Sequence, residues 1–183
     1  MTPRELLDCA SRLIALHRYR GADANDLIAL LNRLPRRQYG QWESLCKEGE
    51  AGDELFFLLR GAVEVLKEDT GGQERPLGTI KAPAILGHMS LVDRSARSAT
   101  CRAMGPVVVA TLDRAGFDAL FDEHTAEGST LRRLLAASIA DQLAQANAHL
   151  RDLIAPADGD VSDAQVMTVK GHLRGWHVAE PAR

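Results

Sequence analysis

Between residues 37 and 112 no apolar run outlasts a short strand before a turn signal interrupts it. The stretches ESLCKEG, ELFFLLR, GAVEVLKE, ERPLGTI, SATCRAM and PVVVATLD are rich in β-branched or aromatic residues. GEAGD, DTGGQ, KAP and MGP separate them, supplying the glycine and proline that turns require. DTGGQ, between residues 63–68 and 74–80, reads as a hairpin loop. Many short strands without intervening long helices predict a sandwich or small barrel. One helical turn, GHMSLV, breaks the series.

Both flanks are helical. Thr2 and Glu5 form a capping box around Pro3, ahead of an apolar face of Leu6, Leu7, Leu13, Ile14 and Leu16. Gly21 ends this element. Asp23 caps a second helix carrying Leu27, Ile28, Leu30 and Leu31, which Pro35 stops. Residues 1–34 are therefore expected to pack on the barrel rather than to form a separate domain. Past Leu112, one short helix is expected over residues 114–121 and a long one over 127–154, ended by Pro156. Within the long helix Ile139, Leu143, Ala146, Leu150 and Leu153 alternate spacings of four and three. That seam suits either a homodimer or a packing face against the barrel. Residues 155–183 read as a polar tail, with at most one weak helix over 163–173.

Composition excludes several classes. Lys and Arg total 22 against 25 Asp and Glu, a net charge of -3, so no overall basic field draws the chain to nucleic acid or anionic lipid. The apolar runs are too short to span a bilayer, and charges break the N-terminus before any signal-like stretch. The expected location is the cytoplasm, with Cys9, Cys46 and Cys101 as free thiols outside any CxxC pair. No metal site is expected. His172 and His177 stand five apart, and no HxH pair provides the metal site of a jelly-roll enzyme. Nor is a catalytic function expected.

GHMSLVDRSARSAT, residues 87–100, carries the chemistry. Gly87 before a helical turn lets the backbone approach a ligand and leaves the following amides without helical partners. Arg97 adds a planar, permanently charged fork suited to two oxygens of one phosphate. Ser98 and Thr100 are hydroxyl donors, and Ala99 leaves room for close backbone contact. One anion cradle without an Mg²⁺ carboxylate cluster suggests a monoanionic diester. Without GK[ST], nucleotide hydrolysis has no support.

EGEAGDELFFLLRGAVEVL, then LGTI, then GHMSL and RSAT, together resemble the cyclic-nucleotide-binding domain family, in the manner of catabolite activator proteins and protein kinase A regulatory subunits. The resemblance runs from about residue 27 to 153. It implies a mainly β fold with flanking helices: a jelly-roll β-barrel, or double-stranded β-helix, with N-terminal helices and a long C-terminal helix. It places the binding domain at residues 35–154. It assigns Arg97 to the cyclic phosphate of cAMP or cGMP, with Ser98 and the backbone of Ala99 assisting, beside the Thr100 hydroxyl read above. Gly87, His88, Met89 and Ser90 would form the cassette around ribose and phosphate, and Val63, Leu77 and Ile80 the base pocket. Asn147 or His149 would reach the base edge.

The sequence departs from the family at His88, where a glutamate would accept from the ribose hydroxyl. A neutral imidazole accepts one such bond without the charge. The deficit is about 1–2 kcal/mol, or roughly five- to thirtyfold in affinity. KAPAIL also lacks the family's glycine-acidic turn. Two functions follow: a non-catalytic sensor relaying cyclic nucleotide binding through its C-terminal helix to a protein partner, or a degenerate fold serving as a structural or interaction module. Many relatives carry a helix-turn-helix, but residues 155–183 are too few for a three-helix reader. No nucleic acid or membrane partner is expected.

Overall fold

The structure, a computed structural model, describes residues 2–15 and 23–154, apart from the side chains of 149 and 152–154. The expected helix end at Gly21 and the tail at 155–183 lie outside the described residues. Helix α1 (Pro3–Ala15) opens on the expected capping box: Thr2 N–H donates to Glu5 Oε2 at 2.6 Å, and Glu5 N–H to Thr2 Oγ1 at 3.2 Å. It buries Leu6, Cys9, Ala10 and Leu13, the spacing of one helical face. Helix α2 (Ala24–Arg33) starts where Asp23 accepts from the amides of Asn25 and Asp26, and buries Leu27, Leu30 and Leu31. It stops at Leu34, whose extended backbone is the conformation a following proline imposes.

Eight strands follow: β1 (Arg36–Tyr39), β2 (Ser44–Cys46), β3 (Glu54–Arg60), β4 (Ala62–Glu68), β5 (Glu74–Lys81), β6 (Ala84–Leu86), β7 (Thr100–Ala103) and β8 (Val107–Asp113). They form two antiparallel sheets, ordered β1-β8-β3-β6 and β2-β7-β4-β5, as a jelly-roll. The sheets do not close into a continuous barrel, a correction to the expectation of one. Helix α3 (His88–Asp93) interrupts the series between β6 and β7, while α4 (Arg114–Asp122) and α5 (Ala126–Ile154) follow it.

Strand β3 shows why LFFLL is unbroken by polar residues. Successive side chains point to opposite faces. Leu55, Phe57 and Leu59 meet a core built with α1, α2, α4 and the Leu131, Leu134 and Leu135 positions of α5. Phe56 and Leu58 point the other way, into the space between the sheets with Val63, Ala103, Val107 and Val109. A strand apolar on both faces must be covered on both, and α1 and α2 pack against the face of Leu55, Phe57 and Leu59. Strand β5 is the contrasting case, an edge strand exposed along nearly all its length. The chain divides into two units after Asp141, within α5.

Candidate functional site

The site begins where β6 ends. Gly87 adopts φ 72° and ψ 8°, a left-handed turn that swings the chain into α3. The loop after α3 is tied to the segment ahead of β3: Arg97 N–H donates to Glu50 O, and Gly49 N–H to Arg97 O, each at 2.9 Å. This double tie directs the Arg97 side chain inward. The residue is 5% exposed, and among the described residues it is the sole buried arginine or lysine.

Its guanidinium lies under the glycine turn. Nη1 donates to Gly87 O at 2.8 Å and Nη2 to Glu54 O at 2.5 Å, while the group sits 5.5 Å from the centroid of the Phe56 ring. No carboxylate pairs with it among the described residues. His88, the next residue after the turn, is 2% exposed. Among the described residues three buried side-chain nitrogen or oxygen atoms lack a partner: Nδ1 and Nε2 of His88 and Nε of Arg97. They belong to the residue that follows Gly87 and to the arginine whose Nη1 meets the Gly87 carbonyl.

The profile of the family described as "Cyclic nucleotide-binding domain" matches residues 36–124, spanning every strand and the Gly87–Arg97 cassette. These residues are similar to a cyclic nucleotide-binding domain. The chain is 29% identical over 118 residues to the Cyclic AMP receptor protein of Thermus thermophilus, covering 64% of this chain and 55% of that protein. It is 34% identical over 110 residues to a cAMP-dependent protein kinase regulatory subunit of Emericella nidulans, covering 60% of this chain and 24% of that protein. Among solved structures, the Thermus thermophilus Catabolite Activator Protein superposes with a TM-score of 0.65 at 28% identity, covering 74% of this chain and 62% of that one. The chain therefore spans about half of the bacterial relative's length and a quarter of the fungal one's.

The remaining expected site residues have distinct placements. Ser90 is buried, with Gly52 packed so closely that a Cβ there would stand 2.0 Å from Ser90 Cβ. Met89 is exposed on α3. Thr100 is buried and its hydroxyl accepts from Glu48 N–H at 3.0 Å. Ser98 is exposed, its carbonyl taken by Lys67 Nζ at 2.9 Å, and Lys67 also ion-pairs with Glu48. Ala99 is half-buried. Val63 and Ile80 face each other across β4 and β5 within the inter-sheet core. Leu77 stands apart, 65% exposed at an irregularity in the β4–β5 register. Asn147 is exposed on α5, and the side chain of His149 lies outside the described residues.

Several supporting residues were not legible beforehand. Arg114, at the start of α4, donates to the carbonyls of Ser90 at 3.0 Å and Leu91 at 3.2 Å, fastening the end of α3. Glu54 and Phe56 hold Arg97 through a carbonyl and a ring face, contacts that leave no trace in residue type. The Asp113–Arg114 pair at the end of β8 could have been read as a helix start. Its second role depends on tertiary placement.

Burial sets the electrostatics. With no hydrogen bond to stabilise its charged form, the His88 imidazole is pushed down to about 4 and stays neutral at physiological pH. Among the described residues no cluster of His, Cys, Asp and Glu is arranged to hold a metal ion, and no helix is long and apolar enough to cross a membrane.

Proposed function

We propose that this domain is a regulatory module that binds a cyclic nucleotide, cAMP or cGMP, at the Gly87–Arg97 cassette. The supporting observation is the concentration of unsatisfied buried polar atoms there. A buried guanidinium without a carboxylate and a buried imidazole without any hydrogen bond are both costly. One ligand relieves both, since its phosphate supplies the missing negative charge and a ribose hydroxyl can pair with the imidazole. Gly87, Met89 and Ser90 then contribute backbone contacts, with Ser98, Ala99 and Thr100 beside the phosphate. Val63 and Ile80 offer apolar surface for the base, and Leu77 would join them only on movement of the β5 edge. The relatives named above as a cyclic AMP receptor and a cAMP-dependent regulatory subunit support the same reading. Output passes through α5 to a protein partner or a second copy of the chain, without catalysis.

A second reading rests on one specific feature. Both Nη atoms of Arg97 already donate to the chain's own carbonyls, at Gly87 and Glu54. A phosphate has to displace those bonds, and His88 returns less than a glutamate would. A degenerate domain acting only as an interaction module would keep them. Thermal melting separates the two readings, because a ligand bound only by the native state raises the midpoint. Cyclic AMP or cyclic GMP should raise it while inorganic phosphate alone does not. No shift with either nucleotide favours the degenerate module.

A further inference from the structure

Two cysteines that the proposed function does not use are register partners across neighbouring strands. Cys46 on β2 stands opposite Cys101 on β7 in antiparallel pairing. Such partners have Cα atoms about 4.5–5.5 Å apart, inside the roughly 4.4–6.8 Å range that a disulfide spans. Both side chains belong to the core between the sheets, and both are free thiols. Cys46 Sγ reaches the Ala99 carbonyl at 3.9 Å. The register shifts between Ser44 and Cys46, next to this pair. Cys9 lies in the other core, among the helices, so it does not compete for either partner.

We propose that Cys46 and Cys101 form an intrachain dithiol–disulfide couple, closed by a small peroxide and positioned beside the Arg97–Thr100 segment. The two thiols differ in readiness. A hydrogen bond from the Cys101 thiol and the positive charge of Arg97 bring the Cys46 thiol down to about 7, whereas Cys101 is pushed up by the same bond and by burial. Cys46 is thus the attacking thiolate near neutral pH, and Cys101 the resolving thiol. In the first step Cys46 sulfur bonds to one peroxide oxygen as the O–O bond breaks, giving a sulfenic acid and hydroxide. In the second, Cys101 sulfur bonds to Cys46 sulfur and the S–O bond breaks. The departing hydroxide takes the Cys101 proton as water, and the hydroxide from the first step takes up the proton that Cys46 shed on ionising. Overall, two thiols and one peroxide give one disulfide and two waters.

Closure removes the hydrogen with which Cys46 reaches Ala99. An effect on cyclic nucleotide affinity rests on the function proposed above, but the cross-link does not. The test therefore reads the cross-link alone. The reduced full-length chain is treated with hydrogen peroxide, blocked with N-ethylmaleimide and digested with trypsin without reductant. Peptides 38–47 and 98–102 should emerge joined within one chain, while peptide 5–12 carries maleimide on Cys9. Maleimide on both Cys46 and Cys101, sulfinic acid on each, a link to Cys9, or a link between two chains would overturn the assignment.

Discussion

His88 and Arg97 face the same physical difficulty from opposite directions. The buried charge of Arg97 must be met by acceptors, and two carbonyls and a ring face provide them. His88 can shed its proton and does. With a folded value of about 4 against an ordinary 6.5, the folded chain refuses a proton that the unfolded chain accepts. Above pH 6.5 both states are neutral at this residue. As pH falls from 6.5 to 4 the unfolded state gains the proton, so the contribution to stability is lost across that window and levels off below it. The full loss is about 3 kcal/mol at 1.36 kcal/mol per unit. Urea unfolding of the wild type and of His88→Leu across this range isolates the effect. The difference between them should shift progressively against the wild type on acidification, while at pH 7.5 the variant should be no less stable, because it removes two unpartnered polar atoms.

At the scale of elements, the cassette depends on a backbone conformation that side chains would obstruct. A Cβ on Gly87 would stand 2.4 Å from Arg97 Nη1 and 3.3 Å from Glu54 O, on a residue already at positive φ. Gly87→Ala should cost about 1–3 kcal/mol in denaturant unfolding and weaken any ligand that uses Arg97. The turn at Gly87 and the short helix after it were legible in the sequence because a glycine ahead of a brief apolar segment marks a left-handed turn. The strands ELFFLLR, GAVEVLKE and PVVVATLD were legible from β-branched and aromatic runs between turns. Strand β1, RRQY, was not, since it lies at a sheet edge with three of its four residues exposed and carries no apolar alternation. The three residues of β6 were too short to declare themselves after Pro83. Leu77 looked like a core residue by type, but the irregularity in the β4–β5 pairing leaves it exposed on an edge strand. The bonds of Arg97 to main-chain carbonyls could not be read at all, because every residue has a carbonyl.

For the whole molecule, the N-terminal helices, the outer face of β3 and the first turns of α5 share one core, while a second core fills the space between the sheets. Further along α5, Leu143 and Leu150 are 57% and 47% exposed. If these residues carry the output to a second copy, replacing both with Glu should convert a dimer into a monomer by light scattering. A wild-type chain that is already monomeric would remove self-association from the account.

The central claim is that a buried, carboxylate-free guanidinium serves an anionic ligand. Isothermal titration calorimetry on the full-length chain tests it most directly, using cyclic AMP and cyclic GMP against the wild type and Arg97→Ala, with the variant's fold checked by circular dichroism. A saturable heat with at least one nucleotide, lost in the folded variant, is the predicted result. No heat with either nucleotide at millimolar concentration, or binding unchanged in Arg97→Ala, would contradict it.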